Sequence, residues 1–103
     1  MVARHWHVKI PVQDADAYER MIIKIAIPYY ASIDGLSDYC FLKRTEGEET
    51  HFDLFTYWKD YEAIKNFAGE DIEKAQYYDE DKVYLFEFEP TVKHYEVFAR
   101  KMP

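Results

Sequence analysis

A chain of 103 residues has room for one domain, residues 1–103, and its 49% hydrophobic and 18% aromatic content sets it apart from disordered sequences. The formal charge of −7, from 20 acidic and 13 basic residues, with no basic run longer than Lys43-Arg44 or Arg100-Lys101, argues against a nucleic-acid partner. A lone cysteine, Cys40, leaves no intrachain disulfide, and the sequence has neither the apolar core of a signal peptide nor a membrane-length apolar run; the expectation is a soluble, cytoplasmic protein with no membrane partner.

Residues 3–12 alternate, with Trp6, Val8 and Ile10 on one side and His5, His7 and Lys9 on the other, which predicts a first strand between two different environments. Asp14 or Asp16 is placed to cap the helix that follows, and Asp16 with Glu19 has capping-box spacing. Tyr18, Met21, Ile22, Ile25 and Tyr29 recur at three and four residues and form its inward stripe. Pro28 cannot donate to the carbonyl four residues earlier, so the helix is expected to bend or end near Ala26 and to stop at Asp34-Gly35.

Residues 36–45 and 50–58 are rich in aromatic and β-favouring types and flank the polar turn Glu46-Gly47-Glu48-Glu49, which reads as a hairpin of strands two and three. Asp60 is a candidate N-cap for a second helix with Ala63, Ile64 and Phe67 inward and Gly69 at its end. A further short helix is expected over 71–76, a polar loop over 77–82 with its charged part at 79–82, either a helical turn or an extended arm over 83–89, and a last strand over 91–99 after Pro90.

The order is βαββαβ, an α+β, ferredoxin-like antiparallel sheet of strand order 4-1-3-2 with helices on one face. Its other face, left open, would carry enough nonpolar surface to call for a second copy, so a homodimer through that face is expected. Nineteen aromatic residues in so small a domain also point to a lined pocket or an interface, with half-exposed tyrosines along the sheet as the plainer alternative.

The run Tyr57-Trp58-Lys59-Asp60-Tyr61-Glu62-Ala63-Ile64-Lys65-Asn66-Phe67-Ala68-Gly69-Glu70-Asp71 resembles the strand-to-helix segment of antibiotic biosynthesis monooxygenase domains. His94-Tyr95-Glu96-Val97 and Asp16-Ala17-Tyr18-Glu19 extend that resemblance over nearly the whole chain. It implies a dimeric α/β barrel with an apolar pocket. It also suggests oxidation of an electron-rich aromatic without metal or flavin, the substrate supplying electrons to dioxygen. Haem-degrading relatives of this fold use an Asn on the first strand, a Trp in the second helix and a His about one helix length later. The corresponding positions are Phe67 and Gln76 or Tyr77, and the first strand has no Asn, which disfavours haem degradation.

His5 and His7 share one face of the first strand, and His94 and Glu96 share one face of the last, its expected neighbour. Read as one cluster, they offer His94 or His7 as a catalytic base or oxyanion anchor, with His5 and Glu96 as substrate contacts; polar residues at a wet dimer interface are the alternative. Three histidines near a carboxylate also match zinc or iron donor sets, whereas the resemblance implies a metal-free site with no cofactor. Asp53, on the barrel side with His51, is a second candidate base. Trp58, Phe67 and Tyr29 are candidate pocket walls, each explained as well by core packing. Cys40 reads as a small buried hydrophobe. Two functions follow: a cofactor-independent monooxygenase-like enzyme for a small aromatic or quinol-like compound, or a non-catalytic homodimeric module that holds a small apolar ligand.

Overall fold

The alternation on the first strand carries through to the sheet. In the computed structural model, which describes residues 1–77, 81 and 89–101, β1 (Val2–Pro11) pairs with β3 (Glu49–Trp58) and with β4 (Lys93–Glu96), and β3 pairs with β2 (Leu36–Glu46). All pairings are antiparallel and the order is β2-β3-β1-β4, the ferredoxin-like arrangement expected. Val2, Arg4, Val8 and Ile10 of β1 and every second residue of β3 from Thr50 to Trp58 are buried beneath the helices. Their neighbours His5, His7, His51, Asp53, Phe55 and Tyr57 lie on the other face.

The first helical region is built in three parts: α1 (Ala15–Met21), a π-helical turn over Ile22–Ala26, and α2 (Ile27–Ala31). Pro28 explains the middle one. A proline ring collides with the carbonyl four residues back, and the widened turn, in which the Ile27 N–H bonds to the Ile22 carbonyl, moves the preceding chain out of its way. The extra residue also rotates the inward face. Tyr18, Ile22 and Ala26 are buried at intervals of four and Tyr30 continues the row, while Tyr29, expected inside, is 46% exposed. The capping box does not form: Asp14 occupies the N-cap without a side-chain bond.

The second helix, α3 (Tyr61–Ala68), follows its sequence closely. The Asp60 carboxylate accepts from the Ala63 N–H at 2.9 Å, Ala63 and Ile64 are buried, and Gly69 takes φ +88° at the end. The helix expected over 71–76 is absent; a turn there leads into a bridge between Lys74 and Thr91, which ties the segment to the chain entering β4. Most of the 77–89 segment, including the expected turn or arm at 83–88, lies outside the described residues. Asp81, expected in a charged loop, is fully buried and accepts from the Tyr18 hydroxyl at 2.8 Å. Cys40 is half-buried on the open face rather than in the core. Among the described residues no helix is long and apolar enough to cross a membrane.

Two separate cores result. Val8, Ile10, Phe52 and Leu54 pack against Tyr18, Ile22 and Ala26, while Val2 and Trp58 pack against Ala63 and Ile64. Between them, on the same sheet face, the strands present Arg4, Trp6 and Thr56. That gap between the two helical covers is where the site lies.

Candidate functional site

Arg4 and Trp6, two apart on β1, project into the gap from the sheet. Tyr30 of α2, Phe67 of α3 and Gln76 close over them, leaving a floor cavity of about 20 Å³. It shares Tyr30, Phe67 and Gln76 with an outer chamber of about 180 Å³ that adds Tyr29 and Tyr77. Phe67 is the hub: its ring lies 5.2 Å from Trp58, 5.9 Å from Tyr30, 6.1 Å from Tyr29 and 5.7 Å from the Arg4 guanidinium carbon. Trp6 stacks at a tilt on Tyr77, 5.3 Å away.

The polar groups of this cleft are incompletely satisfied. Arg4 is 4% exposed; one terminal nitrogen donates to the Lys74 carbonyl at 3.1 Å, but Nε has no partner, and neither has the buried Nε1 of Trp6. Among the described residues no carboxylate is within ion-pair distance of Arg4. Burial lowers the Arg4 pKa, opposed by Tyr30; burial pushes the Tyr30 phenol up to about 12, with Arg4 pulling the other way, so Tyr30 is a protonated donor at neutral pH.

A second cavity, about 290 Å³, lies between α1, the π turn and the β2–β3 pair, walled by Ile22, Ile23, Ile27, Phe41, Phe52 and Leu54. Its polar rim is already paired, Lys43 to Glu19 at 2.5 Å. Most of its described walls are apolar.

The histidines divide between the two sheet faces. On the open face His5 Nε2 meets Asp53 Oδ1 at 2.7 Å, while His7 bridges Glu89 (Nδ1 to Oε2, 2.5 Å) and His51 (Nε2 to Nδ1, 2.9 Å). With Glu89 ionised, His7 Nδ1 is the donor, so in neutral His7 Nε2 accepts and His51 Nδ1 donates. The expected cluster with β4 does not form, because the register sets His94 opposite Arg4 and Lys93 opposite His5. His94 and Glu96 therefore share the helix-side phase, and the two expected catalytic histidines, His94 and His7, lie on opposite faces of the sheet. A slip of one residue in a four-residue strand suffices for this. Trp58 is fully buried in the second core, whereas Phe67 and Tyr29 line the chamber. Among the described residues no group of three or more His, Cys, Asp or Glu side chains is arranged to hold a metal ion.

Sequence reasoning passes over Arg4. Its signal is phase: a cation in step with Val2, Trp6, Val8 and Ile10 on the stripe that faces the helices. Gln76 and Tyr77, where the haem-degrading pattern places its histidine, do lie at the cleft with Phe67.

Neither a family model nor a curated protein matches the sequence. Among solved structures it is similar to the haem degrader MhuD of Mycobacterium tuberculosis, determined with two haems in its active site, at 17% identity over 99% of this chain and 100% of that one, with a TM-score of 0.68. The two chains share a fold. At that identity the likeness shows the fold alone, and the chemistry has to come from this chain's own side chains.

His94 gives a first test of the arrangement. Burial, then the charge of Arg4, holds it below its ordinary pKa of 6.5, against an opposing push from Glu73. Above that value it is neutral folded or unfolded; below it the unfolded chain takes up a proton that the folded protein resists, so stability falls as pH drops toward the lower folded pKa. His94→Gln is expected to flatten this part of the stability curve in urea melts between about pH 7.5 and 5.5. An unchanged slope would mean that neither burial nor Arg4 lowers the His94 pKa.

Proposed function

We propose that the chain is a monooxygenase-like enzyme that oxidises a small aromatic or quinol-like compound without metal or flavin, as a cytoplasmic homodimer with one substrate cleft in each subunit. The observation that carries this reading is the gap between the two cores, walled by Tyr29, Tyr30, Phe67 and Tyr77 and floored by the unmet donors of Arg4 and Trp6. Apolar walls with a few convergent polar groups are the general make-up of a small-molecule site. An electron-rich phenol with an open ring position and dioxygen give a quinone and water, one oxygen atom entering the product. All four electrons taken up by dioxygen come from the substrate, so a site that positions and desolvates the phenol needs no external reductant.

Haem fits this cleft poorly as a substrate. Iron is ordinarily met by an imidazole, thiolate or phenolate; the described lining supplies neither imidazole nor thiolate, and burial raises the pKa of two of its phenols, Tyr30 and Tyr77.

For the dimer, support comes from the open face. On it His5 pairs with Asp53 and His7 with Glu89, while Leu42 and Tyr95 remain about half exposed and Phe98, beyond β4, is 100% exposed. Light scattering at micromolar concentration should give about twice the 12.4 kDa chain mass; a clean monomer would remove this part of the proposal.

A second reading, a non-catalytic module holding a small apolar ligand in the same cleft, is favoured by one observation: the described lining contains neither a carboxylate nor an imidazole to act as base. Oxygen uptake by metal-stripped protein, measured against a panel of quinols and polycyclic phenols, separates the two. The enzyme reading expects uptake that Phe67→Ala reduces at least tenfold and that His7→Ala and His94→Ala leave largely intact. Binding without uptake would select the module, and loss in either histidine variant alone would move the chemistry out of the cleft.

A further inference from the structure

A guanidinium taken out of water is costly unless its donors are met, and among the described residues Arg4 has one N–H without a partner and no carboxylate within ion-pair distance. Trp6, two residues along the same strand, also lines the floor cavity and carries a second buried N–H without a partner. In a molecule of net charge −7, this pair forms a local donor site surrounded by aromatic rings. The dimensions add a constraint. A floor cavity of about 20 Å³ holds a single water or one ligand oxygen, and the chamber of about 180 Å³ above it holds one or two fused rings.

From these features we infer that the cleft takes its ligand as an aromatic anion, whose carboxylate or phenolate oxygen enters the floor, pairs with the Arg4 guanidinium and accepts from Trp6 Nε1. This deepens the proposed function and rests on its placing of the ligand in the cleft. It also answers the missing base: a cation in a desolvated pocket favours the ionised form of a bound phenol, whose proton leaves to solvent, so ionisation needs no side chain to take it up. The Phe67 ring lies over the guanidinium, 5.7 Å from its carbon, and also walls the chamber, so it shields the pair from water.

Isothermal titration calorimetry with three probes of one ring system tests this: 2-naphthoate, the neutral 2-naphthalenemethanol, and 2-naphthol. The unaltered protein should bind the naphthoate at least tenfold more tightly than the alcohol, the scale of one charge-assisted hydrogen bond in a dry site. In Arg4→Gln the two should agree within about twofold. Proton release on binding 2-naphthol, seen as a heat that changes with the buffer's ionisation enthalpy, would identify a phenolate as the natural anion; binding without release would assign the site to carboxylates. Equal affinity for acid and alcohol in the unaltered protein, or an acid preference that survives Arg4→Gln, overturns the inference. The first of these comparisons can overturn the inference even where the variant does not fold. Failure of oxygen uptake leaves the acid-to-alcohol ratio standing, whereas binding of none of the three probes removes the cleft as a ligand site and this inference with it.

Discussion

Replacing Gly35 by alanine is expected to lower the unfolding free energy by about 3 kcal/mol, a fall in Tm of roughly 10–20 °C for a domain of this size. Two independent effects add. Gly35 holds φ at +85°, where a side chain is strained by about 1–2 kcal/mol. A Cβ built there would also stand 2.5 Å from the Cβ of Ala63, and overpacking of that kind costs about 1–3 kcal/mol. The loop cannot easily step aside, since the Gly35 carbonyl accepts from the Lys59 N–H at 2.9 Å and so ties the entry to β2 to the end of β3. Ala63→Gly relieves the collision but not the backbone strain, so in a double-mutant cycle the pair should show a coupling of about 1 kcal/mol or more. Strict additivity would mean that α3 does not approach this loop. The result bears on function because α3 carries Phe67: whatever loosens its seat on the loop also loosens the lid of the cleft.

Much of this architecture is legible in the sequence because its elements rest on local rules. The two faces of β1 follow from alternation, the break in the first helix from a missing proline N–H, and the start of α3 from one aspartate. Strand order follows from element order once the fold class is set. The histidine cluster fails for an equally physical reason. Lys93-His94-Tyr95-Glu96 is polar on both phases, so no hydrophobic pattern fixes its register, and only the pairing to β1 decides that His94 stands opposite Arg4. The π turn is another such case: proline predicts a break, but the widened turn shifts the inward row from Tyr29 to Tyr30, and with it the phenol beside Arg4. Asp81 is charged and loop-borne, and only the tertiary contact with Tyr18 accounts for its burial. Arg4 was visible as a cation on a buried stripe, yet its meaning depends on where the two helical covers stop, which is a property of packing between elements distant in sequence.

Trp58 makes the separation of core from site measurable. Trp58→Ala should cost about 3–5 kcal/mol, the largest single loss expected in the chain, because the ring is fully buried among Val2, Ala63 and Ile64 and its indole N–H donates to Thr56 Oγ1 at 2.8 Å. Trp58→Phe keeps most of the apolar contact and gives up one hydrogen bond, for a cost of about 1–2 kcal/mol. If Trp58 acts only through packing, the phenylalanine variant should bind 2-naphthoate within about twofold of the unaltered protein, while Phe67→Ala, which takes away a wall of the chamber, weakens binding about tenfold or more. The reverse pattern, a Trp58→Phe protein of near-normal stability that no longer binds, would mean that the indole itself meets the ligand and that the cavity floor extends past Phe67 into what is now the second core. The two rings are 5.2 Å apart, so small displacements at Trp58 are transmitted to the cleft wall. Stability and affinity should therefore be measured on the same preparations: a core residue moves the first far more than the second, and a site residue does the opposite.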